Sequence, residues 1–96
     1  MEARDGSGNT PLHNAAYEGH LPVVQYLCEQ GADKEARDRW GMSPLHFAAY
    51  EGHLPVVQYL CEQGADKDTR DLNGETPLHR AAQEGHLPVV QYLSGR

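Results

Sequence analysis

The chain has 96 residues, 39% apolar and 7% aromatic, and its 8 basic against 14 acidic residues give a net charge of −6. That length holds one small domain or one short stack of repeats, and the apolar content is too high for a disordered chain. The acidic balance argues against nucleic acid and anionic membrane as partners, because both are bound by clustered Lys and Arg.

In chain order, Glu2–Asp5 matches Glu35–Asp38, so residues 1–6 read as the remnant of an upstream hairpin. Thr10 is a good helix N-cap, and Pro11 presets φ at the first helical position without losing a hydrogen bond. Leu12, Ala15 and Ala16 follow as a narrow apolar stripe at i, i+3 and i+4. Gly19 suits the left-handed residue that ends such a helix. A second helix then starts around Pro22, tolerated in a first turn, and carries Leu21, Val23, Val24, Tyr26, Leu27 and Cys28. This helix is apolar almost all round and must be covered on two sides. Gly31 closes it, and the stretch from Lys34 to Gly41 carries turn signals and no helical period.

The same grammar then recurs. Thr10-Pro11-Leu12-His13 returns as Ser43-Pro44-Leu45-His46 and as Thr76-Pro77-Leu78-His79, at a step of 33 residues. Units of 7–39, 40–72 and 73–96 follow, the first two differing at seven positions of 33 and the third stopping after its second helix. Helices shorter than about 12–15 residues are marginal alone in water, so each pair needs a copy of itself alongside.

The run Gly-x-Thr-Pro-Leu-His-x-Ala-Ala-x-x-Gly-His-Leu-x-Val-Val-x-x-Leu-x-x-x-Gly-Ala-Asp resembles the ankyrin repeat signature, from about residue 2 to residue 94. The resemblance implies an all-α repeat solenoid, with helix-turn-helix units joined by β-hairpin loops. It also implies that hairpin tips and first helices line a concave face where such arrays bind folded proteins. His13, His46 and His79 are implied to hydrogen-bond their own Thr/Ser-Pro turns, and His20, His53 and His86 to tether loop backbone. Two departures stand out. Lys34-Glu35 and Lys67-Asp68 replace the family's frequent Val-Asn, and only Gln83 and Ser94 look like the polar changes of a terminal unit, so the ends look under-capped.

Residues kept in every copy are explained by the architecture, so a specific site should lie where the copies differ. The differing positions are Ser7/Trp40/Asn73, Asn9/Met42/Glu75, Thr10/Ser43/Thr76, Asn14/Phe47/Arg80, Tyr17/Tyr50/Gln83, Arg39/Leu72, Glu35/Asp68 and Ala36/Thr69. Most fall on the loop tip or first helix, while Leu21–Leu27 is almost invariant between copies. The expected partner-binding patch is Arg39, Trp40, Met42, Phe47 and Tyr50, with Leu72, Glu75 and Arg80. Trp, Tyr and Arg are enriched at binding hot spots, and clustered exposed apolar side chains call for a partner.

No catalytic or metal site is expected. The histidines lack the i, i+4 spacing of a helical two-His site, and no third ligand varies near them. Cys28 and Cys61 occupy equivalent places in stacked helices, which sit about 8–10 Å apart, beyond the roughly 7 Å Cα separation of a disulfide. Ser7, Ser43 and Ser94 have no evident base. The sequence therefore predicts a binding module for a partner protein, with no enzyme activity, cofactor, nucleic acid, membrane or small-molecule substrate. Two cysteines and no leader predict a reducing, cytoplasmic setting. The near-identity of the units points to a consensus-type or engineered array. The alternatives are a consensus scaffold with no natural partner, or self-association through the apolar patch or the ends.

Overall fold

The computed structural model describes residues 4–95, so Met1, Glu2 and Ala3 of the expected upstream remnant lie outside the described residues. Six helices follow one another: α1 Pro11–Glu18, α2 Leu21–Glu29, α3 Pro44–Tyr50, α4 Leu54–Glu62, α5 Pro77–Gln83 and α6 Leu87–Gly95. Each odd-numbered helix packs against the even-numbered one after it. Between pairs, α1 packs on α3, α3 on α5, α2 on α4, and α4 on α6.

Local chemistry sets where α1, α3 and α5 begin. The Thr10 hydroxyl accepts from the His13 backbone N–H, and the His13 ring accepts in return from the Thr10 N–H, a reciprocal cap repeated at Ser43–His46 and Thr76–His79. Gly19, at φ 75°, ends α1 in the left-handed region. Glycine is required there for a second reason. A Cβ at Gly19 would lie 2.6 Å from His53 Nδ1, and one at Gly52 would lie 2.6 Å from His86 Nδ1. Those rings come this close because His53 Nε2 reaches Tyr17 O at 3.0 Å and His86 Nε2 reaches Tyr50 O at 2.9 Å. His53 and His86 thus each tie their unit to the first helix of the unit before it.

The core is one continuous cluster running through all three units. Ala15, Ala16, Ala48, Ala49 and Ala81 are buried along the first helices, and Val24, Val56, Val57, Leu60, Val89 and Leu93 along the second. Small residues let the first helices approach more closely than the second helices, whose contacts run through Val, Leu and Tyr. A stack that is tighter on one side bends toward that side.

The loops are hairpin-like turns, and no strand is assigned among the described residues. Asp38 N–H bonds Met42 O, Gly41 N–H bonds Asp38 O, and successive tips are joined by Arg39 N–H to Ser7 O and Leu72 N–H to Trp40 O. Too few backbone pairs line up for a ladder, so arginines do much of the holding. Arg4 donates to Gly8 O in its own loop and to Arg37 O in the next. Arg37 likewise donates to Gly41 O, then to Arg70 O and Thr69 Oγ1. In each loop the carboxylate of Asp5, Asp38 or Asp71 accepts two turn amides through Oδ1.

A candidate protein-binding face

The first-helix side of the stack carries the positions at which the units differ. Trp40 on the second loop tip is 53% exposed, Leu72 on the third tip is 75% exposed, and Tyr17 on α1 is 44% exposed. Gly41 lets the third tip come close beneath Trp40: a Cβ there would sit 2.9 Å from Leu72 N. Between tips and helices lie two adjoining hollows. One, of about 320 Å³, is lined by Tyr17, Trp40, Met42, Phe47, Tyr50, Asn73 and Arg80. The other, of about 270 Å³, is lined by Asn9, Asn14, Tyr17, Trp40 and Phe47.

Phe47 is the floor of both. Its ring meets the His13 ring edge-on at 5.6 Å and the Tyr17 ring edge-on at 5.9 Å, so it leans from α3 toward unit one. The Arg39 guanidinium lies 5.5 Å from the Trp40 ring centre. Of the eight expected contact residues, Trp40, Met42, Phe47, Tyr50 and Arg80 meet around one hollow, and Arg39 joins them through Trp40. Leu72 stands apart as an exposed tip residue.

Glu75 and Arg80 are less free than the sequence suggests. Arg80 donates twice to Asp71 Oδ2, at 3.0 and 2.7 Å, and its Nη1 lies 3.2 Å from Glu75 Oε1. Gln83 Nε2 adds a bond to Glu75 Oε2 at 2.8 Å. Asp71 is nearly buried, and burial alone would raise its pKa. The Glu75 backbone N–H and the Arg80 guanidinium outweigh that and hold it below the ordinary carboxylate range. These side chains therefore form the wall of the hollow more than its free contact groups. Tyr17, Asn9, Asn14 and Asn73 line the hollows as well. Their variation between copies was the available signal.

The repeated histidines are structural in geometry. His13 Nδ1 accepts from Thr10 N–H, and Nε2 lies 2.8 Å from Met42 O on the next loop. His46 does the same with Ser43 and Glu75 O. Burial pushes both rings below the usual histidine pKa. A proton on Nδ1 would also face the N–H it now accepts. No group of three His, Cys, Asp or Glu side chains suited to a metal is present among the described residues. Cys28 and Cys61 are free and partly buried, and burial raises both thiol pKa values, which disfavours the reactive thiolate. Among the described residues no helix is long and apolar enough to cross a membrane.

Comparison with known proteins agrees with this geometry. A family model described as "Ankyrin repeats (3 copies)" matches residues 34–96, and one described as "Ankyrin repeat" matches residues 7–39. Ankyrin repeat domain-containing protein 49 from Homo sapiens is 58% identical over 33 residues, which is 34% of this chain and 14% of that protein. Its counterpart from Bos taurus is 54% identical over 33 residues, with the same coverage. The match thus spans one repeat's length and a small fraction of either relative.

Proposed function

Because the chain belongs to the ankyrin repeat family, we propose that it is a non-enzymatic module that binds a partner protein through its first-helix face, centred on Trp40. One observation carries the reading. Trp40 stands 53% exposed at a loop tip where the sibling units have Ser7 and Asn73, so the fold does not require an indole there. Tyr17 and Leu72 add exposed apolar area close by.

The test is the Trp40→Ala variant as bait beside the parent protein, with thermal unfolding of both. A hot-spot aromatic contributes at least about 2 kcal/mol, roughly thirtyfold in affinity. The exposed stacking with Arg39 is worth at most about 1 kcal/mol to stability. Partners held by the parent and lost by the variant at nearly unchanged melting support the reading. A variant that keeps its partners removes Trp40 from the interface, and a bare consensus scaffold, the reading that near-identical units also favour, has no partner to lose.

A second reading rests on the end faces. Val23 and Tyr26 at one end and Leu87 at the other are 47%, 60% and 59% exposed. Their equivalents within the stack are at least partly covered. A second copy stacking end to end would cover them, and sedimentation would show mass rising with concentration. A constant monomer mass across a hundredfold concentration range excludes it.

A further inference from the structure

The two joints inside the stack are one joint made twice, with the same polar bonds each time. The His53 ring reaches Tyr17 O, and the His86 ring reaches Tyr50 O. His13 Nε2 lies 2.8 Å from Met42 O, and His46 Nε2 lies 2.8 Å from Glu75 O. Arg4 donates to Arg37 O, and Arg37 to Arg70 O. Each of these bonds crosses between adjacent units, so every unit carries one half of the joint on each face.

Advancing the bonds by one repeat leaves matching halves on the two outer faces. On unit one, His20 is exposed where His53 and His86 are partly covered. Its counterpart on unit three is Gln83 O, in register with Tyr17 O and Tyr50 O. A Cβ at Gly85 would meet nothing within 4 Å, whereas Gly19 and Gly52 lie against the histidine ring of the following unit. On unit three, His79 is exposed where His13 and His46 are fully buried, and Asn9 O of unit one holds the place of its acceptor. The acceptors are backbone carbonyls, so the changes of side chain to Gln83 and Asn9 leave them in place.

The apolar parts match in the same way. Val23 and Tyr26 on unit one are 47% and 60% exposed, whereas Val56 and Val89 are 1% exposed. On unit three Leu87 is 59% exposed, and Ala82 is exposed where Ala16 and Ala49 are fully buried. Terminal repeats ordinarily turn a polar face outward, and these two faces keep both the apolar surface and the polar halves of an internal joint.

We propose that copies of this chain stack head to tail, with unit one of one copy seated on unit three of the next in the register of the internal joints. His20 then reaches Gln83 O of the neighbouring copy, and the neighbour's His79 reaches Asn9 O. The proposal rests on the end-to-end reading above and names its polarity and register. Two different faces meet, so the contact is heterologous and each added copy offers a fresh end.

The test is sedimentation of the whole chain and of variants at its two ends. Tyr26→Glu places a charge on the outer face of unit one, and Leu87→Glu places one on that of unit three. Both replace exposed side chains, and circular dichroism of the dilute variants checks that they fold. The parent should gain mass with concentration without stopping at a dimer, and each variant alone should stay monomeric. Mixed together, the two variants should form a 1:1 pair through their one intact joint and grow no further. His20→Ala should weaken assembly roughly fivefold through one lost hydrogen bond, with melting of the dilute monomer unchanged. Undiminished assembly of His20→Ala overturns the register. A parent that associates while either glutamate variant alone still does so, or while their mixture stays monomeric, overturns the head-to-tail joint and leaves end-to-end contact standing. A parent of constant monomer mass overturns both.

Discussion

Adjacent valines in the second helices should respond to truncation in opposite orders along the stack. Val24 and Val57 are fully buried, whereas their third-unit equivalent, Val90, is only partly so. One residue earlier the order reverses: Val23 is 47% exposed, and Val56 and Val89 are 1% exposed. The first position therefore faces the preceding unit and the second faces the following one. Removing two carbons from a fully buried valine forfeits about 1.6 kcal/mol of transfer free energy, and the cavity left behind adds roughly another 1 kcal/mol. Alanine's better helix propensity returns about 0.5 kcal/mol. Val24→Ala, Val56→Ala, Val57→Ala and Val89→Ala should each cost about 2 kcal/mol. Val23→Ala loses about half that burial and leaves no closed cavity, so it should cost about 0.5 kcal/mol or nothing, and Val90→Ala, partly covered and open on one side, about 1 kcal/mol. The gap is about 1.5 kcal/mol for Val23 and about 1 kcal/mol for Val90, or roughly 6–12 °C and 4–8 °C in melting temperature. Six single variants followed by circular dichroism decide the matter. If Val57→Ala and Val90→Ala lose the same midpoint, or Val23→Ala is as damaging as Val24→Ala, the assignment of faces is wrong.

Other expectations come from the polar contacts. Stability should fall as pH drops below about 6.5, because the unfolded chain takes up protons there while burial holds the folded His13 and His46 at lower pKa values. The slope is at most about 1.4 kcal/mol per pH unit for each histidine, and a urea midpoint flat from pH 7.5 to 5 would contradict it. Arg80→Leu should cost about 1–3 kcal/mol by leaving Asp71 Oδ2 unpaired, and the loss should shrink at pH values where Asp71 is protonated. Gly52→Ala should be more damaging than Gly85→Ala. Both force alanine to positive φ, but only Gly52 lies against a histidine ring, and comparing their midpoints isolates the His86–Tyr50 tether.

Most of the architecture was legible because it is written in local signals. Thr10, Ser43 and Thr76 before Pro-Leu-His mark three helix starts, and Gly19 and its copies mark ends that only glycine suits. The step of 33 turns one such unit into a stack. The arginine ladder through Arg4, Arg37 and Arg70 was not legible. Invariance between copies marks these residues as architectural, but each donates to a backbone carbonyl of its own loop, and Arg4 and Arg37 also to one in the next loop, which no spacing reveals. The candidate site was legible in position more than in role. Variation between copies located the face, yet Glu75 and Arg80 turn much of their charge inward. A sequence clue existed: opposite charges appear together in unit three at positions where unit two has Met42 and Phe47.

That same substitution pattern separates what holds the array together from what is left for a partner. A contact made in every unit, such as the two turn amides on each Asp Oδ1, belongs to the repeat. A contact made in one unit at a variable position, such as Arg80 on Asp71, belongs to that unit alone. Its absence elsewhere is then informative, because the rest of the environment is held constant. Unit one answers the loss with exposure, since Asp5 is open to water. In unit two the loop is joined to loops on both sides, and Asp38 Oδ2 is buried with no hydrogen-bond partner from the protein. Phe47, where unit three has Arg80, supplies no cation to its loop carboxylate and lines both hollows instead.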